Sequence, residues 1–178
     1  MKNKKIFPYL AIVISVFVLD QVSKILVEEN FRLGESITII NGFLNFTYAQ
    51  NQGVAFSFGD SFSSVLRLVL FKILPLFVCA FVAKLFWDAL RVKNKLQMVS
   101  YSLILGGALG NILDRIRLDY VVDFIAVYSR GIDLGFTQLP SWHFAIFNIA
   151  DSAISIAIAL LVLDYLISLK NRKNATSL

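Results

Sequence analysis

Four long apolar runs, at about residues 7–27, 64–87, 96–116 and 144–169, dominate this sequence. Each has about the 20 residues that a helix needs, at ~1.5 Å rise per residue, to cross a hydrocarbon core of ~30 Å. Inside lipid the backbone must satisfy its polar groups within its own segment, so such runs read as transmembrane helices. Composition agrees: 57% of the 178 residues are hydrophobic, 16% are charged, and the mean hydropathy is +0.71. A soluble domain carries about a quarter charged residues. The sequence therefore describes an integral membrane protein, expected as one membrane domain over 1–178 with no internal repeat or low-complexity linker.

The net charge of +5 is informative through its placement and does not point to nucleic acid. Lys2, Lys4 and Lys5 precede the first run, Lys84, Arg91, Lys93 and Lys95 surround the short second connection, and Lys170, Arg172 and Lys173 follow the fourth run. Asp20, Glu28, Glu29, Glu35, Asp60, Asp114, Asp119, Asp123, Asp133 and Asp151 fall towards the other side. The positive-inside rule then puts both termini and the short loop in the cytoplasm and the two longer loops outside. The basic start has the look of a signal peptide, but its apolar part is long and no A-x-A-like cleavage site follows, so a retained first span is expected. Pro75 is expected to kink the second span. The lone Cys79 excludes an intramolecular disulfide and reads as lipid or helix packing.

The first outer loop, 30–62, is rich in β-branched and aromatic residues punctuated by Gly42, Gly53 and Gly59, which predicts short strands and turns. The second, 117–143, holds Tyr120, Tyr128 and Trp142, rings that suit the headgroup level. The expected fold is an all-α membrane bundle of four transmembrane helices, with a small extracytoplasmic β-rich cradle between helices 1 and 2.

Four polar clusters stand out. Asp20 and Lys24 lie at i, i+4, a spacing that favours a salt bridge on one helix face. Asn51 and Gly53 sit in NQGVAF, where glycine permits a turn or close approach and asparagine offers donor and acceptor. In GGALGNILDR, Gly106 and Gly110 form a small-residue face for close helix packing. Asn111, Asp114 and Arg115 project from one side of the same helix, with Arg115 expected to pair with Asp119 or another helix. Finally, Asn148 and Asp151 share a face in the first turns of the last span. With the helix counted from Phe144, Asp151 lies ~10 Å inside, reachable by water yet desolvated. A second carboxylate beside it, from Asp114 or Asp123, makes a pair able to share a proton and activate water against an amide.

Other hydrolytic schemes lack their parts. His143 is the only histidine, and neither H-E-x-x-H nor G-x-S-x-G occurs. A proton-coupled transporter also uses intramembrane acids. It would carry polar residues through the bundle, yet after Asp151 the next acid on the last span is Asp164 at its far end.

Taken together, five stretches resemble lipoprotein signal peptidase, or signal peptidase II: Asp20-Gln-Val-Ser-Lys24, Asn51-Gln-Gly-Val-Ala-Phe56, Gly110-Asn-Ile-Leu-Asp-Arg115, Val121-Val-Asp-Phe124 and Phe147-Asn-Ile-Ala-Asp-Ser152. The resemblance implies a bacterial inner-membrane aspartic endopeptidase, without metal or cofactor, that cleaves diacylglyceryl-modified prolipoproteins before the lipid-modified cysteine. It implies Asp123 and Asp151 as the catalytic pair and Asn111, Arg115 and Asn148 as support for the site and the substrate backbone. Asn51 and Gly53 would belong to the cradle, and Asp20 and Lys24 would be structural or substrate-positioning. The partners implied are prolipoprotein and membrane lipid, with no oligomer indicated. The stretch between Phe124 and Phe147 is longer than the family pattern by about ten residues, which bears on the cover of the site.

Overall fold

The computed structural model describes residues 6–53, 63–129, 131–133 and 138–176. Lys2, Lys4, Lys5, Gly59, Asp60 and the 54–56 part of NQGVAF lie outside the described residues. The helices are α1 (Phe7–Asn30), α2 (Ser64–Leu68), α3 (Leu74–Val92), α4 (Lys95–Arg117) and α5 (Ile149–Thr176), with a π-helical turn at Val69–Ile73 joining α2 to α3. Among the described residues, four rods are long and apolar enough to span a membrane: Phe7–Asn30, Val65–Val92, Lys95–Arg117 and Ile149–Asn171. The protein is a multi-pass membrane protein.

Local chemistry explains the joints. Pro75 has no N–H to bond the preceding turn, and the widened π turn, closed by Leu74 N–H to the Val69 carbonyl, accommodates that loss within a continuous rod. Lys93 ends α3 in the left-handed conformation (φ 59°), and the Asn94 side chain caps α4 by accepting from Gln97 N–H. Asn94 and Gln97 also donate to Asp164 of α5 at 2.8–3.2 Å, which satisfies that acid locally at this end of the bundle.

The α4 rod is central, with 44% of its apolar stretch buried against 11–22% for the others. Its glycines explain why. A Cβ at Gly106 would collide with the Val13 carbonyl and Val16 of α1, and one at Gly107 with the Ala150 carbonyl of α5. The small-residue face thus lets two helices approach α4 at backbone distance.

At the other end, β1 (Ser36–Ile40), β2 (Leu44–Asn51), β3 (Val121–Ser129) and β6 (Trp142–His143) form an antiparallel sheet in the order β1-β2-β3-β6. A separate hairpin pairs β4 (Ile132–Asp133) with β5 (Gln138–Leu139). The sheet is not confined to the loop between helices 1 and 2, as expected from sequence: β3 and β6 come from the loop before α5. The cause is the pairing of β3 with the full length of β2, which buries Val121, Val122 and Phe124. Val27, Tyr48, Val122 and Phe124 form one cluster, seating the sheet on the end of α1.

The last span also starts later than its composition suggests. Phe147 exchanges backbone hydrogen bonds with Ile125 at 2.7 and 3.1 Å, holding Phe144 to Asn148 on the sheet. The helix begins at Ile149, so Asp151 lies in its first turn rather than two turns inside.

Candidate active site

Asp123 is the third residue of β3 and is 2% exposed. It pairs across the sheet with Ala49, so Asn51, two residues further along β2, lies diagonally on the same face. Asn51 Nδ2 donates to Asp123 Oδ2 at 2.9 Å. Its other amide atom, Oδ1, accepts from Gly53 N–H at 2.8 Å, which fixes which end of the amide faces the acid. Gly53 is required twice over: its φ is +85°, and a Cβ there would fall 2.7 Å from the Phe71 ring.

Asp151 comes from the opposite side, at the third residue of α5. Asn148 caps that helix, its Oδ1 accepting from Asp151 N–H at 3.0 Å, and Asp151 Oδ2 accepts in return from Asn148 N–H at 3.2 Å. This is a capping box with aspartate as the returning acid. It places a carboxylate where helix N–H groups and the helix dipole favour negative charge.

The two acids meet through Asn148, whose Nδ2 donates to Asp123 Oδ1 at 2.7 Å. Asn111 completes the bridge. Its Nδ2 donates to Asp151 Oδ1 at 2.9 Å, while its Oδ1 accepts from Asn148 at 3.1 Å and from Lys24 Nζ at 2.9 Å. Burial pushes the Asp123 carboxyl up to about 6; the Asp151 charge adds to this, and hydrogen bonds from Asn51 and Asn148 and the Lys24 charge oppose it.

Behind the pair lies a fully buried ionic cluster. Lys24 Nζ reaches Asp20 at 2.8 Å and Asp114 at 2.9 Å, with all three side chains shut from solvent. Further donors reach both carboxylates: Ala150 N–H donates to Asp20, Val122 N–H to Asp114, and Gln21 Nε2 to both acids. The cluster therefore ties α1 and α4 to the start of α5 and to β3. The i, i+4 bridge expected from sequence is present, with Asp114 as its third member. Asp114 thus lies on the Lys24 side, and it is Asp123 that shares Asn148 with Asp151.

Of the two alternatives expected for Arg115, Asp119 or another helix, the structure has the second. Asp119 pairs with Lys72 at 2.6 Å, and the Arg115 guanidinium lies over the Phe71 ring, 5.9 Å from its centre. Sequence reasoning passed over Gln21, although its place beside Asp20 on a membrane helix marks it as a group in need of partners.

Comparison with known proteins gives the same outline. A family model described as signal peptidase (SPase) II matches residues 12–167. The lipoprotein signal peptidase of Geobacter sulfurreducens is 38% identical over 154 residues, covering 86% of this chain and 88% of the relative. That of Klebsiella aerogenes is 37% identical over 167 residues, covering 94% and 93%. A solved bacterial membrane enzyme superposes with a TM-score of 0.75 at 30% identity, covering 90% of this chain and 94% of its own.

Proposed function

The chain belongs to the signal peptidase II family and is a peptidase, and from that premise we propose that it is an aspartic endopeptidase acting through Asp123 and Asp151. Its substrates are diacylglyceryl-modified prolipoproteins, cut before the lipid-modified cysteine. The observation that carries this reading is the convergence of two carboxylates, one from a strand and one from a helix start, on the one residue Asn148, whose side-chain amide donates to Asp123 and whose backbone N–H donates to Asp151.

In this mechanism Asp123, whose carboxyl burial pushes up to about 6, donates its proton to the scissile carbonyl oxygen. Asp151, at the positive end of α5, takes a proton from the attacking water. As the tetrahedral intermediate collapses, the C–N bond breaks, Asp151 gives its proton to the leaving amine nitrogen and Asp123 takes one back from the intermediate's hydroxyl, so the pair returns to its starting state; this is general acid–base catalysis by a pair of unlike carboxyls. Asn51, Asn111 and Asn148 hold the two groups and leave further lone pairs for water and substrate. Arg115, on the face next to the pair, supports the substrate backbone. Asp20 and Lys24 act from behind, fixing the helices that carry Asn111 and Asp151.

The site lies on the outer side of the membrane, with both termini in the cytoplasm. The cationic residues at the α3–α4 turn and in the C-terminal turns of α5 support that orientation. A diacylglyceryl anchor holds its peptide at the outer headgroups, and each buried methylene contributes about 0.8 kcal/mol to membrane partition. The substrate therefore reaches the start of α5 without help from a deep channel.

The test is incubation of the purified protein in detergent with a diacylglyceryl-modified prolipoprotein and with its unmodified form, with and without chelator. Cleavage of the lipidated form alone, unaffected by chelator, is expected. Failure of well-folded protein to cut the lipidated form sinks the proposal.

A further inference from the structure

The Asn111 side chain joins the buried ionic cluster to the acid pair. Its Oδ1 accepts from Lys24 Nζ at 2.9 Å and its Nδ2 donates to Asp151 Oδ1 at 2.9 Å. An amide turned end for end keeps nearly the same shape, so its partners alone decide which end meets Asp151. An ammonium has three protons and no lone pair. Lys24 uses two on Asp20 and Asp114, at 2.8 and 2.9 Å, and the atom that meets the third must be an oxygen.

The second donor to Asn111 Oδ1 is a weaker hold. Asn148 Nδ2 reaches that oxygen at 3.1 Å, but it also serves Asp123 Oδ1 at 2.7 Å and the Val122 carbonyl at 3.3 Å. Its two hydrogens are shared among three acceptors, so it can release Asn111 and stay bonded. Lys24, buried and held by two carboxylates, has no such freedom.

Resting on the peptidase reading above, we infer that Lys24 is a positioning residue of the reaction: its third hydrogen bond fixes the Asn111 amide so that an N–H, and not the oxygen, faces Asp151. This role is separate from holding the helices together. With Asn111 turned the other way, its carbonyl oxygen would face the Asp151 carboxylate, two acceptors with no proton between them. The N–H instead holds Asp151 Oδ1 in place as an acceptor, as a group that takes a proton from water requires. Asn51 is set in the same manner, its far end accepting from Gly53 N–H while its Nδ2 faces Asp123. Each acid thus meets an asparagine N–H whose direction is decided by a donor behind it. Without Lys24 the expected loss is about 10- to 100-fold in kcat, the weight of one hydrogen bond to a charged group. KM changes little, because the lipid anchor and the substrate contacts remain.

The experiment measures kcat, KM and melting temperature with a diacylglyceryl-modified prolipoprotein for wild type, Asp114→Asn, Lys24→Met/Asp114→Asn and Asp20→Asn/Lys24→Met/Asp114→Asn. The two lysine-free variants lose acids along with the cation, which leaves less uncompensated buried charge. Both are repeated with Asn111→Ala added, beside Asn111→Ala alone. Asp114→Asn keeps the Lys24–Asn111 bond and is expected to melt lower at a kcat near that of wild type. The lysine-free variants are expected to lose about 10- to 100-fold in kcat at an unchanged KM, and to lose nothing further once Asn111 is alanine. A kcat that follows melting temperature across the series overturns the inference, because the lysine is then only structural. Losses from the lysine and from Asn111→Ala that multiply also overturn it, because the two then act by separate routes. If wild type cuts no lipidated substrate, the peptidase reading fails and the inference falls with it.

Discussion

Asn148 and Asp151 cap one another: the asparagine side chain accepts from Asp151 N–H at 3.0 Å, and the aspartate carboxylate accepts from Asn148 N–H at 3.2 Å. The ionisable group on an apolar span is thus both a helix-start signal and a candidate for chemistry. Replacing Asn148 separates the two roles. Serine keeps a cap oxygen but lacks the Nδ2 that reaches Asp123. Asn148→Ser leaves the buried acceptors of that Nδ2 unpaired and is expected to cost about 1–3 kcal/mol while lowering kcat about 100-fold; Asn148→Ala loses the cap as well, costing about 1 kcal/mol more. Melting curves and initial rates on the same preparations check both.

Lys24→Met leaves Asp20 and Asp114 buried without their cation. Removing one member of a buried ionic cluster costs about 3–5 kcal/mol, so the variant should unfold at much lower temperature in detergent. Adding Asp114→Asn should restore part of the loss, because one uncompensated charge is then removed. A double variant no more stable than Lys24→Met argues against a cluster held by charge.

Gly53→Ala meets two obstacles, a left-handed backbone and the Phe71 ring. Backbone incompatibility alone costs about 1 kcal/mol or more. Shifting Gly53 pulls its N–H from Asn51 and frees the amide that faces Asp123, so activity should fall further than stability. Phe71→Leu added to Gly53→Ala should recover only the steric part, which rate measurements on the single and double variants resolve.

The raised carboxyl of Asp123 gives a signed pH dependence. Between its ordinary value of 3.8 and about 6, the folded protein binds a proton that the unfolded chain has lost. Stability contributed by this group is fully present below the lower value and is lost as pH rises through about 6, by at most about 1.4 kcal/mol per unit. Asp123→Asn should flatten that part of the stability profile. The kcat/KM of wild type should decline on the alkaline side with a midpoint near pH 6, where the pair loses its shared proton.

Sequence alone made the four spans legible because each is a long apolar run, and lipid permits few other structures for such runs. It also singled out Asp151, whose charge is conspicuous on a hydrophobic helix. It did not show that Phe144–Asn148 stays on the sheet, because those residues are as apolar as the helix that follows. The capping pattern Asn148-x-x-Asp151 was the available sign of the true start. The split origin of the sheet was hidden for a similar reason: Val121 to Phe124 is buried on both faces, so it lacks the alternation that marks a half-exposed strand. Asp114 illustrates the limit of spacing arguments. It shares a helix side with Asn111, yet only the approach of α1 through Gly110 brings Lys24 to it.

The most direct test is the rate at which wild type, Asp123→Asn, Asp151→Asn and Asp164→Asn cleave a diacylglyceryl-modified prolipoprotein, each first shown to be folded by its melting curve. Asp164 serves as the control acid, satisfied by Asn94 and Gln97 at the opposite end of the bundle. The account predicts that both dyad variants lose activity by at least about 100-fold while Asp164→Asn cleaves like wild type. Near-normal cleavage by folded Asp123→Asn or Asp151→Asn would contradict it.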